Sequence, residues 1–206
     1  MLLARQLGVS RTPLREALRL LQREGLILSE PNRRIRVADF SLADVEELYA
    51  MRIALEVVAI RATVPTLTSE DFAHFEGLMA QMDHYMRQGD QQRMDVPHSE
   101  FHSRLVAAAG PRVATTMQQL FDHAQRYRLA YGAAAPSGYG GRRAEHRAIV
   151  DAAAQGDAEA AGEELANHYT QTALLVIREL DPDHDPILLR TALETVAPGA
   201  AAALSS

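Results

Sequence analysis

From Ser41 to Asp181 the apolar residues recur at the 3.6-residue period of a helix. Val45, Leu48, Met51 or Arg52, Leu55, and Val58 or Ala59 form the first such stripe. Breakers cut the run at Pro65, Gly89-Asp90, Gly110-Pro111, a Gly/Ala-rich stretch before Arg142, Gly156-Asp157 and Asp181-Pro182. Six helices are therefore predicted, over about 41–64, 69–89, 91–109, 112–131, 142–155 and 158–180. Ser41 and the segment Thr68-Ser69-Glu70-Asp71 are starting signals. Residues 182–206 show little pattern and are expected to form a partly disordered tail.

Residues 1–39 read differently. Leu2, Leu3 and Leu7 mark a short helix closed at Gly8. Ser10 is the predicted N-cap of a second helix, with Pro13 in its first turn and Gly25 at its end. Leu14, Ala17, Leu18 and Leu21 give it an apolar face. Leu26-Ile27-Leu28 and Ile35-Arg36-Val37, flanking Pro31-Asn32-Arg33-Arg34, predict a β-hairpin. Helix, turn, helix and hairpin in this order make a winged helix lacking its first helix. The fold class is mainly α: this truncated winged helix-turn-helix over 1–39, then an all-helical bundle over 40–181.

Charge separates the two parts. Residues 1–40 hold eight Arg against four acids, although the whole chain carries −6. A basic head on an acidic body points to a polyanion meeting the head. Ser10, Arg11, Thr12 and Arg15 are the candidate DNA contacts at the start of the second helix, where it would enter a major groove. Arg11 and Arg15 are expected opposite the leucine stripe, and Arg33 and Arg34 at the wing tip are expected to reach a neighbouring minor groove or phosphate. A solvated, Arg-rich amphipathic helix is the bland alternative. No run of about 18 apolar residues predicts a membrane span. The N-terminus is charged within five residues, unlike a signal peptide. Cysteine is absent, which excludes disulfides and fits a cytoplasmic protein.

Four of the eight histidines form a constellation. His98 and His102 stand at i, i+4, a two-ligand spacing on one helix face. His146 and His168 lie on the fifth and sixth predicted helices, which an antiparallel bundle can aim into the same cavity. Asp95, one turn before His98, is a candidate replacement ligand or outer support. All-nitrogen ligation suits zinc, with nickel or copper as alternatives. Glu100 and Glu145 adjoin ligands in sequence, but helical geometry turns them about 100° away. An anionic effector would need Arg52, Arg126 or Arg128, with Tyr127, Tyr131 and Tyr169 as hydroxyl donors. The competing reading of Arg52 is a buried ion pair with Glu56.

The segment "LGVSRTPLREALRLLQREGLI…PNRR" resembles the winged helix of GntR-type bacterial transcription regulators, and the helical remainder resembles their FadR-type subfamily with an FCD effector domain, in its six-helix VanR-like branch. The resemblance implies base or phosphate contacts at Ser10, Arg11, Thr12 and Arg15, and further helix ahead of Leu2. It matches Phe101-His102, Glu145-His146-Arg147-Ala148-Ile149 and Asn167-His168 to metal-binding positions, with His98 where an Asp is usual. It implies a homodimeric regulator, in most cases a repressor, that binds double-stranded operator DNA and a small organic acid held beside the metal. The alternative is a metal and small-ligand binding module that has lost DNA binding through its truncated head. A metallohydrolase is a third reading, disfavoured for want of a general base at the metal.

Overall fold

The computed structural model describes residues 2–28, 35–131 and 138–204. It divides into two compact units, Met1–Phe40 and Ser41–Ser206.

In the first unit, helix α1 (Leu2–Gln6) and helix α2 (Arg11–Arg23) precede strands β1 (Ile27–Leu28) and β2 (Arg36–Val37). The strands pair antiparallel, Ile27 opposite Val37 and Leu28 opposite Arg36. Gly25 turns the chain out of α2 at φ 71°, a conformation that costs any other residue a Cβ clash. Ser10 stands at the N-cap, but its side chain makes no capping bond. No residue of α2 is buried. An open groove of about 570 Å³ runs along it, lined by Ala4, Leu14, Leu18 and Ile27 together with Arg11 and Arg15. The expectation that the arginines oppose the leucine stripe is thus corrected. At 100° per residue, Arg15 lies 60–100° from Leu14 and Leu18, so it flanks the stripe. Arg33 and Arg34 lie outside the described residues.

The second unit is helical throughout: α3 (Leu42–Thr63), α4 (Ser69–Arg87), α5 (Gln91–Leu105), α6 (Pro111–Tyr131), α7 (Gly138–Ala154) and α8 (Ala158–Leu180). Caps set their starts. Ser41 and Asp71 fill the predicted roles, Asp71 in a reciprocal capping box with Thr68. Asp90 and Asp157 each accept the backbone N–H three residues on, both at 2.9 Å. Helices α3 and α8 form the centre of the bundle. Gly162 on α8 makes this possible, since a Cβ there would meet Arg61 Nε at 3.1 Å and Val57 at 3.3 Å. Val45, Tyr49, Ile53, Val57 and Ile60 of α3 pack into one core with Phe75, Phe101, Ile149, Leu165 and Ile177.

Beyond Leu180, where the sequence reading placed a tail, two more helices stand: α9 (Ile187–Val196) and α10 (Pro198–Leu204). Leu189, Leu193, Ala197 and Ala200 bury against the bundle. Two bundle glutamates bind their N-termini, where backbone N–H groups lack helical partners. Glu46 of α3 accepts from Leu188 N at 2.6 Å and from His184 Nε2 at 2.7 Å. Glu163 of α8 accepts from Gly199 N at 3.1 Å and Ala200 N at 2.6 Å. Burial pushes the Glu46 carboxyl up, but these bonds outweigh it and hold it below its ordinary range. Glu46→Ala is expected to cost about 0.5–2 kcal/mol, as loss of an N-cap does. Limited proteolysis would show it as faster cleavage between Asp181 and Pro198, with Glu46→Gln partly rescuing.

Candidate metal and effector centre

α5, α7 and α8 each bring histidine to one point in the second unit. His98 and His102 come from α5, His146 from α7 and His168 from α8. All four are buried, and one ligand atom from each lies within 4.8 Å of the others. Among the described residues this is the single group of such ligating side chains. His98 Nε2 and His102 Nε2 stand 3.1 Å apart. Phe101 and Phe121 wall the cluster, with Phe121 5.5 Å from the His98 ring and 5.9 Å from the His102 ring, centroid to centroid.

The outer nitrogens are held from behind. His168 Nδ1 lies 2.7 Å from Glu145 Oε2, which leaves Nε2 free to face the cluster. His102 Nδ1 lies 3.0 Å from the Tyr169 hydroxyl. Tyr169 in turn donates to Glu56, so its oxygen accepts from His102 Nδ1–H and fixes the lone pair on Nε2. Glu145 therefore has a role that adjacency in sequence concealed: it orients a ligand of another helix. His146 Nε2 and His98 Nδ1 are buried with no partner. Burial first, and then the surrounding arginines and imidazoles, push His98, His102 and His146 well below the ordinary histidine value. His168 is pushed down to about 3, by burial and then by Arg52, Arg142 and Arg128. Four neutral imidazoles with an orphaned Nε2 among them suit a borderline-soft divalent cation, whose ligands must be deprotonated. The residues present fit a metal.

A buried arginine, Arg52, and a half-buried one, Arg128, border this cluster. Arg52 is 2% exposed, its Nε 2.8 Å from Glu56 Oε1 and its guanidinium 4.0 Å above the Tyr169 ring. Burial opposes its charge, yet Glu56 and the neighbouring tyrosines hold it ionised, above its ordinary value. The ion-pair reading of Arg52 holds through Nε, while Nη2 is buried without a partner. The Tyr49 hydroxyl is likewise buried and unpartnered.

Arg126, the other predicted effector contact, is not at the cluster. It reaches 3.5 Å from Asp44 and 3.2 Å from the Tyr127 hydroxyl, near the start of α3. Its place is taken by Arg128, whose guanidinium lies 4.3 Å from the Phe121 ring. Asp95, read from sequence as a replacement ligand or an outer support, holds Arg128 at 3.1 Å. A cavity of about 60 Å³ opens beside His98 and His146, lined by Met82, Met94, Asp95, Arg128 and Arg142. A second, of about 30 Å³, lies by His102, Glu56, Gln118 and Phe121. Tyr169 is engaged by His102 and Glu56, and Tyr127 by Asp44, so neither is the free donor the sequence suggested. Outside the cluster, His74 pairs with Glu100 at 2.9 Å and His184 with Glu46 at 2.7 Å. No helix of the described residues is long and apolar enough to cross a membrane.

Comparison with known proteins agrees with this architecture. Residues 47–171 match the FCD domain, and residues 1–37 match the bacterial regulatory proteins of the gntR family. The HTH-type transcriptional regulator YdhC of Bacillus subtilis is 27% identical over 173 residues, 81% of this chain and 75% of that protein. An HTH-type regulator from an unstable DNA locus of Streptomyces ambofaciens is 30% identical over 204 residues, 94% of this chain and 80% of that protein. The solved structure of E. coli McbR/YncC superposes with a TM-score of 0.75 at 23% identity, covering 87% of this chain and 85% of that one. These relatives are regulators of transcription and not enzymes. With the FCD match spanning more than half its length, the chain belongs to the GntR family of bacterial transcriptional regulators, FCD-containing branch.

Proposed function

We propose that this regulator is a cytoplasmic homodimeric repressor whose DNA affinity is set by a small carboxylate bound next to a His-held divalent metal, zinc before nickel or copper. One observation carries the reading: four buried neutral imidazoles adjoin an arginine whose Nη2 is buried without a partner. His98, His102, His146 and His168 would hold the metal, which supplies a Lewis-acidic positive centre for an anion. Arg52 Nη2 would take the carboxylate from the other side, with Arg128 as the second cation. The cluster, without a carboxylate of its own at the ligating positions, keeps the full metal charge for that anion.

In the head, Ser10, Arg11, Thr12 and Arg15 are exposed at the start of α2, where a recognition helix meets base edges. One such helix reads too few base pairs, and a two-fold pair matches a palindromic site. Met51, Leu55 and Val58, exposed along one face of α3, offer a second copy an apolar surface. The effector acts by binding one arrangement of the dimer better than the other.

In a second reading the body binds metal and anion while this head does not read DNA. A shift assay on duplexes selected from a random library separates the two. Binding that weakens about tenfold or more in Arg11→Ala and in Arg15→Ala, in line with about 1–3 kcal/mol per lost base contact, supports the first reading. A phosphate contact would instead lower the salt slope by about one. No selected duplex would support the second. Elemental analysis and mass spectrometry of protein purified without chelating resin tests the metal and its co-bound acid directly.

A further inference from the structure

We infer that Tyr169 is a positioning residue through which metal occupancy at the histidine cluster tunes the anion grip of Arg52. The inference rests on the metal reading above and deepens it. The chain of contacts is continuous and buried. His102 Nδ1 meets the Tyr169 hydroxyl at 3.0 Å. Tyr169 donates to Glu56 Oε2, and Glu56 Oε1 accepts from Arg52 Nε at 2.8 Å. His102 is 3% exposed, and Arg52 and Glu56 are each 2% exposed, so bulk solvent screens these links little.

The direction of the coupling follows from hydrogen-bond polarisation. His102, ligating through Nε2, becomes a stronger donor at Nδ1. The Tyr169 oxygen gives up more electron density to that donor, so its O–H donates more strongly to Glu56. Glu56 then presents less negative charge to Arg52. The guanidinium, whose Nη2 has no protein partner, has more of its charge left for an incoming anion. Metal and anion thus favour each other, and by linkage the effect is reciprocal. Arg52 lies face-on to the Tyr169 ring at 4.0 Å, so the ring that relays the signal also fixes the cation. Tyr169→Phe keeps the ring and removes the relay.

The test uses the full chain, stripped of metal, with zinc alone as the probe. In wild type the Arg52 Nε–H resonance, assigned by its loss in Arg52→Lys, is expected to move by more than its linewidth as zinc saturates. Tyr169→Phe is expected to bind zinc about tenfold more weakly, in the range for loss of a ligand's outer partner. At zinc saturation its Arg52 resonance stays in place. Glu56→Gln, which cuts the chain one link further on, is expected to weaken zinc by less, and provides the affinity readout should Tyr169→Phe not fold. A wild-type Arg52 signal indifferent to bound zinc overturns the relay. So does wild-type zinc affinity in Tyr169→Phe, or an Arg52 shift that survives in it. Each of those leaves the metal site standing. Wild-type protein that takes up no zinc removes both.

Discussion

Lowering the pH from 7 to 5 is expected to remove about 7 kcal/mol of stability from the metal-stripped protein, enough to unfold an ordinary domain. The cause is the histidine cluster. Buried in the folded state, His98, His102, His146 and His168 are all held far below the ordinary value, His168 at about 3. In the unfolded chain each titrates near 6.5. The unfolded chain therefore binds more protons below pH 6.5, so stability is present above that value and is lost as pH falls toward the folded-state values. At pH 5 each histidine contributes a loss of about 2 kcal/mol, and four approach about 8, against about 0.6 at pH 7. Glu145, whose carboxyl burial pushes up, works in the opposite sense and offsets a small part of the loss as pH falls. Glu46, Glu76 and Glu100 are held below their ordinary range, so their share is lost only below about pH 4.5. Urea titrations followed by helical circular dichroism at pH 7 and pH 5 measure the difference. Equal midpoints would mean that the cluster is not buried and neutral as the structure shows.

Local chemistry made much of the bundle legible. Helix starts are chosen within a few residues, and the side chains that cap them were present as words in the sequence: Ser41, Thr68 with Asp71, and Asp157. The three helices that carry the cluster were placed by period and by the breakers between them, and His98 and His102 share a face because four residues return nearly a full turn. What period cannot give is the angle at which one helix faces another. Arg126 and Arg128 stand two residues apart on α6, 200° around its axis, and only one can face the histidines. Arg128 does, seven residues after Phe121 and so on the same side of the helix. Phe121, at the cluster, was the signal available. The partners of Tyr169 lie 67 and 113 residues away, on helices whose contact is set by the packing of α3 against α8. No spacing within one helix encodes them. α9 and α10 escaped for another reason. Their buried faces rest on two leucines and a few alanines, too sparse for a period, and their N-termini are completed by Glu46 and Glu163 from distant helices.

Removing a single imidazole tests the centre most sharply. A structural four-ligand zinc site is worth about 10–16 kcal/mol, so one ligand accounts for about 3–4 and its loss lowers zinc affinity by about 10²–10³-fold. His102→Ala and His146→Ala are both expected to show this in competition titrations against a chromophoric chelator. They should differ in the absence of metal. His146 Nε2 has no protein partner, so its truncation removes a buried polar atom that nothing satisfied. The cost of the small void is offset by relief of that unpaired group and of one acid-sensitive site. His102 holds the Tyr169 hydroxyl, which sits against Glu56, so His102→Ala leaves that hydroxyl short of a donor and is the more destabilising of the two. The pair of measurements separates ligation from packing. Similar losses of zinc affinity with unequal losses of metal-free stability are the signature of a metal centre assembled from residues that the apo fold uses unequally. Unchanged zinc affinity in both variants would mean that the cluster is a packed imidazole core and that the regulator answers its effector by some other group.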